Sequence, residues 1–186
     1  RIQALEPGRV RPAPVEQKVD QYVSGPVAWN LPTAAPAGGA APAPQAQPAA
    51  VAERQAELWS TPQGFLRAAL AHKAKSRPLK GGGSEVSFKL DGRHRFVGQI
   101  NARNEVEVVR TWVDNPVLGD TLVETRFSAY RDFGGVTFPS RIERSQGGYP
   151  VLDLQVNDVR LNGATVPAVP PEVASATQQV PVVKVD

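Results

Sequence analysis

The side chains best able to do chemistry in this 186-residue chain are few and scattered. It has two histidines, His72 and His94, and no cysteine. A zinc site built on several imidazoles or thiolates cannot be assembled from this chain alone, nor can a disulfide or a cysteine nucleophile. Glu105 and Glu107 lie two apart, so on a strand they share one face. Such a pair could hold a cation or share a proton, but a solvated strand face has the same pattern, and that reading is preferred. Asp153 lies between Leu152 and Leu154, opposite to them in parity, and should point outward. His94, in Arg93-His94-Arg95, reads as a surface histidine. Ser60, Ser84, Ser128, Ser140 and Ser145 have no Gly-x-Ser-x-Gly setting. Gly81-Gly82-Gly83 precedes Ser84-Glu85, which is no phosphate-binding loop and reads as a helix-to-strand joint. The residues thus describe a non-catalytic segment with no metal and no cofactor.

Charge narrows the classes further. Lys and Arg number 21 against 18 Asp and Glu, a net charge of +3. No acidic residue occurs between Glu57 and Glu85, a stretch that carries Arg67, His72, Lys73, Lys75, Arg77 and Lys80. These cations could meet an anionic surface such as lipid headgroups or a phosphate backbone. They also suit a helix C-terminus followed by a solvated loop, the reading preferred from sequence. No aromatic side chain interleaves with them for base stacking, so no nucleic-acid partner is expected. No apolar run approaches the roughly 20 residues of a membrane span, so no transmembrane segment is expected. The chain starts at Arg1 without a charged-then-apolar leader, as a processed or excised segment would.

Periodicity gives the helices and strands on which these residues are carried. Residues 15–30 read as a strand, a Ser24-Gly25-Pro26 turn and a second strand. Residues 32–50 contain 14 Ala and Pro and no charge, which predicts a mobile loop. Val51, Gln55, Leu58 and Trp59 share a helical face. Thr61 then caps a second helix with Pro62 at its first position. Phe65, Leu66, Ala69 and Leu70 form its apolar stripe, and it should fade near Lys75. From Ser84 to Asn162 the period becomes two. Asp91-Gly92 marks a hairpin, and six strands with turn residues between them describe an antiparallel meander. The prolines from Pro167 to Pro181 suggest an ordered wrap to about Val173 and then a linker.

The expected fold is therefore α+β: a curved antiparallel sheet of about six to eight strands, a half-barrel, with helices over 50–60 and 62–75 covering its concave side. Residues 1–172 would be one domain and 173–186 a linker. Two helices are a thin cover. Either the sheet curls, or an apolar cavity remains, or another domain completes the cover. Alternation places Val86, Phe88, Phe96, Ile100, Phe127, Phe138 and Leu154 on the concave face, with Phe65, Leu66 and Leu70 from the helix. These ten are the candidate lining of any site for an apolar ligand.

One stretch is more specific. Tyr130-Arg131-Asp132-Phe133-Gly134-Gly135-Val136, then Phe138-Pro139, Arg141-Ile142, Gly147-Gly148 and the strand from Leu152, resembles the late strands of lipoprotein-carrier (LolA-like) domains. More closely, it resembles the domain that precedes the catalytic domain in exported bacterial hydrolases of the metallo-β-lactamase fold. Val23-Ser24-Gly25, Ala28-Trp29-Asn30, Glu53-Arg54-Gln55 and Thr61-Pro62-Gln63-Gly64-Phe65 are similar to earlier parts of that domain. The resemblance implies a curved sheet around helices, a periplasmic or secreted location and a C-terminal catalytic companion domain. The family's His-x-His-x-Asp-His metal motif is absent, so no catalytic residue carries over. The competing expectation is an autonomous carrier or sensor holding a lipid-like ligand.

Overall fold

The computed structural model of the chain describes residues 19–33, 42–90, 94–115, 119–161, 163 and 167–175. The chain divides into two compact units, Arg1–Ala49 with Val169–Asp186, and Ala50–Ala168, a division the sequence pattern does not mark.

The first unit holds strands β1 (Val19–Ser24), β2 (Val27–Pro32) and β3 (Gln45–Ala46) in that order, with the short helix α3 (Pro171–Ser175). β1 and β2 form the expected hairpin, with Tyr22 opposite Trp29 and their rings stacked at 5.0 Å. Part of the Ala/Pro-rich segment departs from expectation. Gln45 and Ala46 pair with Asn30 and Trp29, and the Gln47 amide donates to the Ala28 carbonyl at 2.7 Å. Backbone pairing needs no apolar side chain, so a segment poor in packing residues can still add an edge strand. Residues 34–41 lie outside the described residues. Helix α3 begins on Pro171, where a missing N–H costs nothing, and packs against β2 with Val173 buried.

The second unit carries the expected architecture: an open, seven-stranded antiparallel sheet with two helices on one face. Helices α1 (Val51–Trp59) and α2 (Pro62–Ala71) precede strands β4 (Lys75–Pro78), β5 (Ser84–Leu90), β6 (His94–Ile100), β7 (Val106–Asn115), β8 (Gly119–Asp132), β9 (Thr137–Gln146) and β10 (Tyr149–Gln155). Each strand pairs with its sequence neighbours, so the sheet is a meander. Thr61 caps α2 as expected: its hydroxyl accepts from the Gly64 amide at 3.1 Å and donates to the Leu58 carbonyl at 2.7 Å.

α2 stops at Ala71, short of the expected Lys75. Lys73 turns the chain at φ +50°, and after Ala74 the four residues Lys75–Pro78 become β4. β4 is an edge strand, which tolerates Pro78 because one side of an edge needs no ladder donor. The Asp91-Gly92 turn lies outside the described residues.

Two irregularities reverse the alternation of side chains. The β6–β7 register shifts between Gln99 and Ile100, where Glu107 has no opposite residue on β6, so Val106 and Val109 both reach the helix-bearing face although they lie three apart. In β8, Ala129 adopts φ +52°. Phe127 and Tyr130, also three apart, consequently both pack on the core. Pairing is kept on either side, with Phe127 opposite Ile142 and Tyr130 opposite Pro139. The Ser140 hydroxyl donates to the Ala129 carbonyl at 2.7 Å and secures the reversal.

Candidate functional site

Six of the ten expected concave residues meet beneath the helices. Phe65, Phe88, Phe96 and Phe127 are buried in one cluster with Ala56, Ala68, Val106 and Val109, and Val86 and Ile100 pack against it. The rings are in direct contact: Phe65 to Phe88 at 5.3 Å, and Phe88 stacked on Phe96 at 5.2 Å. Such contacts add to the gain from burial itself. Phe65 reaches so deep because Gly98 has no side chain; a methyl there would overlap the ring. The space between helix and sheet at this point is filled by aromatic carbon.

The other four residues are placed differently. Leu66 is 39% exposed and Leu70 is 87% exposed, so neither lines the core. α2 turns Pro62, Phe65 and Ala68 inward, and 100° per residue carries Leu66 and Leu70 round to the solvent flank. Phe138 lies opposite Arg131, beyond the reversal at Ala129, and is absent from the core cluster. Leu154 faces Ile142 on the helix-bearing side but remains 45% exposed, because it sits on β10 at the sheet's edge.

Residues overlooked in the sequence include Val106 and Tyr130, whose parity is hidden by the two irregularities. The Tyr130 hydroxyl donates to the Val106 carbonyl at 2.7 Å. Burial, then the charges of Glu105 and Glu107, push the phenol's pKa well up. Glu105 and Glu107 do come together, but around Asn101, whose side-chain amide donates to both, at 2.9 and 3.0 Å. The Asn101 bond, then Arg103, holds the Glu105 carboxyl below its usual range. Asn101 also accepts from the amides of Arg103 and Glu105 at 2.9 and 3.0 Å. These acids close the β6–β7 turn, which is a structural employment.

The opposite face of the sheet buries Val97 and Val108 and carries a set of ion pairs. Glu124 binds Arg110 and Arg126, Arg141 binds Glu143 and Asp153, and Arg95 lies over the Trp112 ring at 5.0 Å. Asp153 thus points outward as expected. Among the described residues no group of three or more His, Cys, Asp or Glu could hold a metal ion. His72 ends α2 and its ring stacks 6.3 Å from Phe88, whereas His94 pairs with Leu90 across β5 and β6. No helix among the described residues is long and apolar enough to cross a membrane.

Comparison of the chain with protein-family models, with curated proteins and with solved structures returns no match.

Proposed function

We propose that this chain is a non-catalytic accessory module, LolA-like in architecture, that packs against a companion domain of an exported hydrolase or helps that domain bind substrate. The observation that carries the reading is the unequal cover of the sheet. Over β5–β8 the helices meet a filled aromatic core. At β10 the same face is bare: Tyr149 pairs with Gln146, Leu154 with Ile142, and the two side chains are 77% and 45% exposed. Val151 beside them is exposed as well. Apolar groups clustered at one sheet edge suit a protein contact better than they suit water. A companion domain laid over β9 and β10 would finish the cover that α1 and α2 begin. The periplasmic or secreted setting belongs to the same proposal and rests on the sequence resemblance.

The rival reading, a carrier for an apolar ligand, needs a cavity of several hundred Å3 where Phe65, Phe88 and Phe96 are in ring contact. Titration with a fluorescent fatty acid separates the two. The module reading expects no saturable binding, and Phe88→Ala or Phe127→Ala should each cost about 3–5 kcal/mol of stability. Saturable binding that these truncations alter, at small cost in stability, would establish the carrier and remove the module.

A further inference from the structure

The flank of α2 that escapes the core has a chemistry of its own. Leu66 and Leu70 lie one helical turn apart, so they share a face, and both are exposed. Arg67 is on the same exposed flank, and Lys73, Lys75 and Lys80 follow it, all exposed. No acid occurs from Leu58 to Ser84. The two acids that bracket this stretch are already engaged: Glu57 with Arg144 and Glu85 with Arg77, each at 2.8 Å. The cations near the leucines therefore keep an uncompensated positive field beside exposed apolar carbon.

We propose that the corner formed by α2 and β4 docks on an anionic phospholipid surface. Leu66 and Leu70 enter the boundary between headgroups and acyl chains, and Arg67, Lys73, Lys75 and Lys80 meet the lipid phosphates. Apolar insertion and basic charge on one short amphipathic segment are the two terms that set interfacial binding. A nucleic acid would use the cations but not the leucines. It would want aromatic platforms, and the nearby phenylalanine rings, Phe65 and Phe88, are buried in the core. This surface is separate from the bare edge at β10, so the proposal does not depend on the accessory-module reading.

The test is flotation of the whole chain with vesicles. Phosphatidylglycerol mixed into phosphatidylcholine should carry the protein up, pure phosphatidylcholine should not, and added salt should release it. Arg67→Gln and Lys73→Gln should each weaken binding about fivefold. Leu70→Ser should weaken it by at least about fivefold while leaving the melting temperature nearly unchanged, because the side chain is 87% exposed. Tyr149→Ser and Leu154→Ser, at β10, should leave vesicle binding intact. Absence of flotation with phosphatidylglycerol would overturn the proposal. So would binding indifferent to Leu70→Ser, or tighter retention on a single-stranded oligonucleotide than on vesicles at the same salt.

Discussion

Phe65 of α2 sits directly over Gly98 of β6, with its ring in the place a β-carbon would occupy. The helix lies close to the sheet because this one strand position carries no side chain. Neighbouring positions cannot substitute, since Phe96 and Ile100 on the same face already carry bulk that packs in the same core.

Gly98→Ala should therefore overpack the core. The ring is held by Phe88, so the helix must lift or the strand must shift, and a cost of about 1–3 kcal/mol is expected. Adding Phe65→Leu should return part of that loss, because the smaller side chain makes room. Denaturant midpoints of the single and double variants measure the coupling. Strictly additive losses would show that the two residues do not share the space.

Ala129 is a non-glycine residue at φ +52°, a backbone region that costs a side-chain-bearing residue roughly 1–2 kcal/mol. Ala129→Gly relieves that strain and gives back part of it in unfolded-chain entropy. Net stabilisation of about 0.5–1 kcal/mol is expected, and Ala129→Val should destabilise. Thermal unfolding of both variants checks the order. If glycine proves the worse residue, the left-handed turn is not what reverses the strand.

Thr125 and Arg144 face each other across β8 and β9 on the helix-bearing side. The Thr125 hydroxyl and the Arg144 Nε are buried without a hydrogen-bond partner, while Arg144 reaches Glu57 through its terminal nitrogen. Replacing a buried, unpaired hydroxyl with a methyl of the same shape removes a desolvation cost. Thr125→Val should raise stability by about 1 kcal/mol, read from the urea midpoint. A loss of similar size would mean that the hydroxyl is bonded in solution.

Glu124 couples acid sensitivity to the outer face. Burial works to raise its pKa, but the hydrogen bond and charge of Arg110, then those of Arg126, outweigh it and hold the carboxyl below the ordinary value of 4.5. A carboxyl lowered in the folded state contributes stability that is complete above its unfolded pKa. That contribution is lost as pH falls through the folded value. Stability should thus decline on the acid side of about pH 4.5 and not above it. Glu124→Gln should flatten this acid limb and lower stability at neutral pH. Equal acid limbs in the two proteins would show that the Arg110 pair adds nothing.

Fold class, most of the strands and the aromatic centre of the core are legible in the order of residues. Alternation from Val86 to Leu90 and on the returning strand is a local property of the chain, and Phe88 and Phe96 follow from it. Thr61-Pro62 marks the start of α2 for the same reason, because a cap acts within one turn. Tertiary structure alone decided how far the pattern could be trusted. Glu107, with no opposite residue on β6, and the left-handed Ala129 each shift the parity of everything beyond them, which is why Val106 and Tyr130 join the core and Phe138 leaves it. Neither residue type announces a bulge or a reversal; pairing with the neighbouring strand selects it. Leu66 and Leu70 were turned outward once α2 set Phe65 against the sheet, and the fate of Leu154 was set by reach. An apolar side chain is buried only where another element arrives to cover it, and α1 and α2 do not extend to the edge that carries Leu154.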